Sequence, residues 1–130
     1  MAIMQAHGLP YAATVSVAHP EDFVKKAQKA KSLKGLRFMH ALSPCPPGWR
    51  MSPQLTVEVA RLAVDTHLFP LYEIEDGRLR ITRKGKGTPV KEYLKIQGRF
   101  SHLDESQVDS IQKTVDEKWA RLLKRESEGA

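Results

Sequence analysis

A strand, a helix and a second strand follow one another near the start of this chain, and that succession restricts the fold more than any other feature. The segment "YAATVSV" (Tyr11 to Val17) is small and β-branched, and Pro10 and His19-Pro20 bound it. It reads as a buried strand. In "PEDFVKKAQKAKSL", Pro20 suits the first helical position, and Glu21 and Asp22 set acids where the first backbone N–H groups lack partners. Phe23, Ala27 and Ala30 then share one face with Val24 beside them, the lysines take the other, and the helix ends near Gly35. "LRFMHAL" (Leu36 to Leu42) is the second strand. A strand–helix–strand unit of this spacing implies parallel strands and a right-handed crossover, so the fold class is α/β.

The remaining segments attach to that unit. Met1 to His7 reads as the last turns of a helix stopped at Gly8, which anticipates a preceding segment in a complete assembly. Ser52 and Pro53 read as the cap and first residue of a helix in which Leu55, Val59 and Leu62 line one face. Ala60, Ala63 and Val64 lie alongside, and so many small residues imply a close neighbour. Leu71 to Ile74, the turn signal Asp76-Gly77, and Leu79 to Thr82 form a hairpin. "KGKGTP" breaks the chain before a short helix with Val90, Tyr93 and Leu94 facing inward. A final helix, from about Asp104 to Lys124, spaces Val108, Ile111, Val115, Trp119 and Leu122 along one face, and its tail "RESEGA" is expected to fray.

The chain has 130 residues, 41% hydrophobic and 28% charged, enough for one domain with a core. No apolar run approaches the roughly 20 residues that span a bilayer. The first residues lack the cationic and apolar regions of a secretory signal, and a single cysteine argues against a disulfide scaffold, so a cytoplasmic location is expected. The net charge of +6 is concentrated in one stretch. Residues 78–99 hold eight basic side chains (Arg78, Arg80, Arg83, Lys84, Lys86, Lys91, Lys95, Arg99) against Glu92 alone. A solvated face, a nucleic-acid contact and a dock for an acidic protein all fit that stretch. With only Tyr93 and Phe100 nearby for base stacking, an acidic partner is preferred to nucleic acid.

Chemistry-bearing residues are few. None of the five histidines (His7, His19, His40, His67, His102) shows metal-ligand spacing, and no phosphate-loop or hydrolase signature occurs. Glu73 and Glu75 sit on the hairpin and read as solvated carboxylates. Cys45 stands in "SPCPPGWR", directly after the second strand, where open α/β sheets usually place ligands. Free cysteines are often buried and inert. Pro44, Pro46 and Pro47 stiffen this loop, however, and Gly48 permits a turn, which suits a cluster or metal ligand or a nucleophile. His40 is the nearest candidate base, yet nothing in the sequence brings it to Cys45. Any metal site would need cysteines from elsewhere.

Four segments in order carry a resemblance: "AHGLPYAATVSVAHPEDFVKKAQKAKSLKG", "SPCPPGWR", "EVARLAVDTHLFPLYEIEDG" and "PVKEYLKIQGRF". Together, from about Ala6 to Leu103, they resemble the C-terminal part of the β subunit of pyruvate:ferredoxin oxidoreductase (pyruvate synthase), within the 2-oxoacid:ferredoxin oxidoreductases. The P-C-P-x-G-W element is the most specific and favours pyruvate over 2-oxoglutarate as the substrate branch. The resemblance implies the C-terminal half of a thiamine-diphosphate-binding fold, with residues 1–103 as the C-terminal part of that domain and 104–130 as a terminal helix and tail. It further implies an oxidoreductase that converts pyruvate to acetyl-coenzyme A, or the reverse, passing electrons through [4Fe–4S] clusters to ferredoxin.

By the same resemblance Cys45 is the fourth ligand of one [4Fe–4S] cluster. The other three cysteines, and the G-D-G and N-T-G motifs that hold Mg²⁺ and thiamine diphosphate in the family, are absent from this sequence. No catalytic or cofactor-binding residue is therefore expected here, and the chain alone is expected to be inactive. The remainder of the β subunit, the other subunits, ferredoxin, pyruvate and coenzyme A are the implied partners. A non-catalytic assembly module and, behind it, a small basic nucleic-acid-binding domain are the alternative functions.

Overall fold

The computed structural model describes residues 1–129. It contains, in chain order, α1 (Ala2–Ala6), β1 (Tyr11–Ser16), α2 (Pro20–Ser32), β2 (Arg37–Leu42), α3 (Pro46–Trp49), α4 (Thr56–Asp65), β3 (Leu71–Glu75), β4 (Arg78–Arg83), α5 (Val90–Lys95) and α6 (Glu105–Glu128). Short 3₁₀ turns at Pro53–Leu55 and Gly98–Phe100 precede α4 and follow α5. The strands form one mixed sheet in the order β2-β1-β3-β4. As expected, β1 and β2 run parallel, from Tyr11 opposite Arg37 to Ser16 opposite Leu42. β3 lies antiparallel to β1, and the hairpin turns at Asp76-Gly77, both at positive φ. The fold class is mixed α/β, in keeping with half of a larger sheet-and-helix domain.

Every residue of β1 is buried, which follows from its small and β-branched side chains at the centre of the sheet. β2 lies at an edge and stays partly exposed along its whole length. The main core gathers Val59 and Ala63 of α4, Val90, Tyr93 and Leu94 of α5, and Val115 of α6, with Trp49, Met51, Leu62 and Phe69 packed against them. Each large apolar side chain buried there contributes about 1.5–3 kcal/mol. Leu55, Val59, Leu62 and Ala63 of the α4 face, Val90, Tyr93 and Leu94 of α5, and Val108, Ile111 and Val115 of α6 occupy that core, whereas Trp119 of α6 stacks on His67 instead.

Four local expectations are corrected. In α2 the buried positions are Lys26 and Ala30, whereas Val24 and Ala27 face solvent. Lys26 turns inward because its ammonium can donate to the Thr14 carbonyl at 2.8 Å and to Asp22 at 2.6 Å, so its alkyl stem packs and its charge is matched. Ser52 and Pro53 open a 3₁₀ turn, with the Ser52 hydroxyl bonded to the Gln54 side chain, and α4 begins only at Thr56. The final helix does not stop near Lys124. α6 continues to Glu128 because Glu126 accepts the Ile81 N–H of edge strand β4 at 2.5 Å and Arg125 reaches Gln5 of α1.

The fourth correction concerns Glu73, which is 3% exposed rather than solvated. It accepts from the Tyr11 hydroxyl at 2.7 Å, from Lys29 at 3.0 Å and from Arg80 at 2.5 Å. A carboxylate facing α2 from the middle of a sheet persists only with such partners. Glu75, two residues on, meets Lys29 from a half-exposed position.

Candidate functional site

β2 delivers the chain at Leu42 into Ser43, the buried Pro44 and the exposed Cys45. The inert buried thiol is therefore not what the structure contains. Cys45 is in extended conformation and starts α3, the single turn Pro46–Trp49, a helix not expected from the sequence. Pro46 and Pro47 fill its first positions, where a missing N–H costs nothing and φ is already helical. The Trp49 N–H closes the turn on the Cys45 carbonyl at 2.9 Å, and the Arg50 and Met51 N–H groups follow onto Pro47 and Pro46. Gly48 lies against the sulfur: a Cβ there would sit 3.3 Å from Cys45 Sγ, so glycine keeps the thiol's surroundings open.

One turn of helix does not stand by itself, because nucleation costs more than one turn returns. Segment 97–100 supports it. The Gly98 N–H donates to the Arg50 carbonyl at 3.0 Å, fixing Arg50 in the left-handed conformation (φ 52°) that ends the turn. Any Cβ on Gly98 would approach Arg50 Cβ and its carbonyl oxygen to 2.9 Å. Next to it, the Arg99 guanidinium lies over the Trp49 ring at 4.0 Å and over the Phe100 ring at 4.6 Å. Arg99 Nε is held by Gln97 Oε1 at 2.9 Å, and the buried Gln97 is in turn anchored by donating to the Tyr93 carbonyl at 2.7 Å.

Sequence reasoning placed Cys45 and its prolines but missed Gly98 and Arg99 as their support. The available signal was the "QGRF" string, where Arg99 counted only as one more basic residue. His40 packs edge-on against Phe69 at 5.2 Å, and no hydrogen bond joins it to Cys45. Among the described residues no side chain is hydrogen-bonded to the thiol as a base. Among the described residues no three His, Cys, Asp or Glu side chains converge as a metal site. The donor set suits a cluster as one exposed thiol on a braced turn, and cannot make a whole site.

Five of the eight basic residues of the stretch have partners among the described residues. Arg80 is paired to Glu73, Lys86 to Asp65, Lys91 to Glu105 and Lys95 to Glu92, while Arg99 is stacked on Trp49. Its residues are divided between β4, a loop, α5 and the turn after it.

The other polar concentration is an open cleft of about 620 Å³ between α2 and β4, which includes His19, Lys26, Lys29, Glu73 and Arg80. Burial raises the carboxyl of Glu73, but hydrogen bonds from Tyr11, Arg80 and Lys29 outweigh it and hold the group below the usual carboxylate range. Burial and the Glu73 hydrogen bond push the Tyr11 hydroxyl far above its ordinary value. Burial lowers His19, with Arg83 adding to the effect. A carboxylate held below its ordinary range and a phenol held above its own do not exchange protons near neutrality, so the cleft reads as a structural ion network rather than acid–base machinery.

No helix among the described residues is long and apolar enough to cross a membrane. No protein-family model matches the chain. It is 52% identical over 117 residues to pyruvate synthase subunit PorB of Methanocaldococcus jannaschii, a match covering 89% of this chain and 39% of that protein. Ketoisovalerate oxidoreductase subunit VorB of Pyrococcus horikoshii is 46% identical over 125 residues, covering 94% and 40% respectively. Pyruvate synthase subunit PorB of Thermotoga maritima is 46% identical over 127 residues, covering 93% and 39%. The chain thus spans about two fifths of the length of the curated relatives it matches.

Proposed function

From the premise that this chain is homologous to part of the β subunits of 2-oxoacid:ferredoxin oxidoreductases, we propose that it is the C-terminal segment of such a subunit and that Cys45 supplies one thiolate to a [4Fe–4S] cluster. The single observation that carries this reading is the exposed Cys45 thiol on a proline-stiffened, externally braced turn at the carboxyl end of β2. When bound, such a cluster accepts and passes on single electrons. This chain's part is to aim one ligand and to keep the turn beneath it fixed. The remaining cysteines, thiamine diphosphate and Mg²⁺ belong to the rest of the assembly, as do coenzyme A and ferredoxin. The 1–103 segment is the domain portion in this reading, 104–130 its terminal helix, and the isolated chain does not turn over.

Pyruvate is the proposed 2-oxo acid, on the P-C-P-x-G-W element of Pro44 to Trp49. Relatives named for pyruvate and for ketoisovalerate match at similar identity, so the substrate is decided by assaying both acids with the assembled enzyme.

The test is anaerobic co-expression with a chain that carries the G-D-G motif and three cysteines, followed by iron and sulfide analysis. Cys45→Ala should remove one cluster's iron and abolish ferredoxin reduction. Full iron content and undiminished electron transfer in that variant would refute the ligand assignment.

A further inference from the structure

We propose that Arg99 is a positioning residue for Cys45, holding the Cys45–Trp49 turn through Trp49; this rests on the cluster-ligand reading above. Segment 97–100 gives the turn two of its outside holds. One is the Gly98 N–H on the Arg50 carbonyl at 3.0 Å, and the other is Arg99 over Trp49 at 4.0 Å. The first fixes where the turn ends. The second fixes the side chain by which the turn meets the core, since Trp49 also packs against the α4–α5–α6 cluster.

Arg99 is itself immobilised. Gln97 Oε1 accepts from its Nε at 2.9 Å, its Nη2 reaches the Tyr93 hydroxyl at 3.4 Å, and Phe100 lies under the same guanidinium. No carboxylate pairs with it among the described residues, unlike Arg80, Lys86, Lys91 and Lys95. A planar cation that is always charged and can stack on a ring is what this position uses, and a lysine reproduces the charge without the plane.

The test compares Arg99→Gln and Arg99→Lys with the parent chain. In the chain alone, amide hydrogen exchange is followed at Trp49, Arg50 and Met51, whose N–H groups close the turn. Arg99→Gln should speed these amides by about 5- to 30-fold, the factor matching a partly desolvated cation–π contact, while α6 amides stay unchanged. Arg99→Lys should recover most of the protection. Unchanged exchange in the turn, or equal acceleration throughout the chain, would overturn the positioning role.

If the co-expressed parent assembly binds no cluster, the reading of Cys45 fails, and the exchange measurement still decides whether Arg99 holds the turn.

Discussion

The guanidinium carbon of Arg99 stands 4.0 Å from the centroid of the Trp49 ring, joining two segments that the sequence presents as separate motifs. The "SPCPPGWR" loop and the "QGRF" string are one construction, and its tightest point is the approach of Gly98 to Arg50. Replacing Gly98 by alanine forces a Cβ to within 2.9 Å of the Arg50 carbonyl oxygen, so the backbone must move. The expected cost is about 1–3 kcal/mol, as for other overpacked sites, read as a lower urea midpoint with unchanged m-value. A midpoint equal to the parent's would mean the two segments are not tightly joined.

Cys45→Ala should leave stability within about 0.5 kcal/mol of the parent, because the side chain is exposed and accepts no hydrogen bond that holds the fold. A maleimide should label the native chain fully without denaturant. Both outcomes are needed if loss of iron in the assembly is to be read as loss of a ligand rather than loss of structure.

Glu73→Ala is expected to be among the most damaging single changes. It strands the Tyr11 hydroxyl and leaves Lys29 and Arg80 without their shared partner at a position 3% exposed. Removing one member of a buried charge pair costs about 3–5 kcal/mol. Arg80 is itself mostly exposed, so its own truncation should cost considerably less. Thermal melts of the two variants give the order directly.

The same carboxylate sets a pH dependence. Its folded-state value lies below the unfolded one: burial works to raise it, and the hydrogen bonds from Tyr11, Arg80 and Lys29 prevail. Over that window the unfolded chain binds more protons, so the stabilisation is complete above the unfolded carboxyl's range and is lost as pH falls through the folded value. Melting temperature should drop on acidification below about pH 4.5, and Glu73→Gln should flatten that drop. Parallel acid profiles for both proteins would remove Glu73 from the explanation.

At the other end of the sheet, Glu126→Ala should free the Ile81 N–H and destabilise the chain by about 0.5–1.5 kcal/mol. Hydrogen exchange at Ile81 should accelerate selectively. Deleting residues 125–130 should do the same and also remove the bond from Arg125 to Gln5 of α1.

What the sequence disclosed and what it withheld divide along a physical line. The parallel pair β1–β2, the hairpin and the inward faces of α4, α5 and α6 follow from apolar spacing, and spacing is local information. Lys26 and Glu73 escaped because a charged residue is read as outward unless its partner is known. Their partners, Thr14 and Asp22 for one and Tyr11, Lys29 and Arg80 for the other, are mostly supplied by tertiary folding. The end of α6 was misjudged for the same reason, since its last turn is held by β4 and α1. Cys45 was legible through its prolines, whereas the residues that aim it lie on a different element.

The Gly98–Arg50 hydrogen bond also has a kinetic meaning. Contacts between residues far apart in the chain form only after the intervening loop has closed, and such closure is a late and entropically costly step. The turn at Cys45 therefore cannot take its final shape while a ribosome is still making α5. In the proposed enzyme, iron offered to a nascent chain would meet a loose thiol, and the ligand becomes properly aimed only once the "QGRF" segment has emerged and docked.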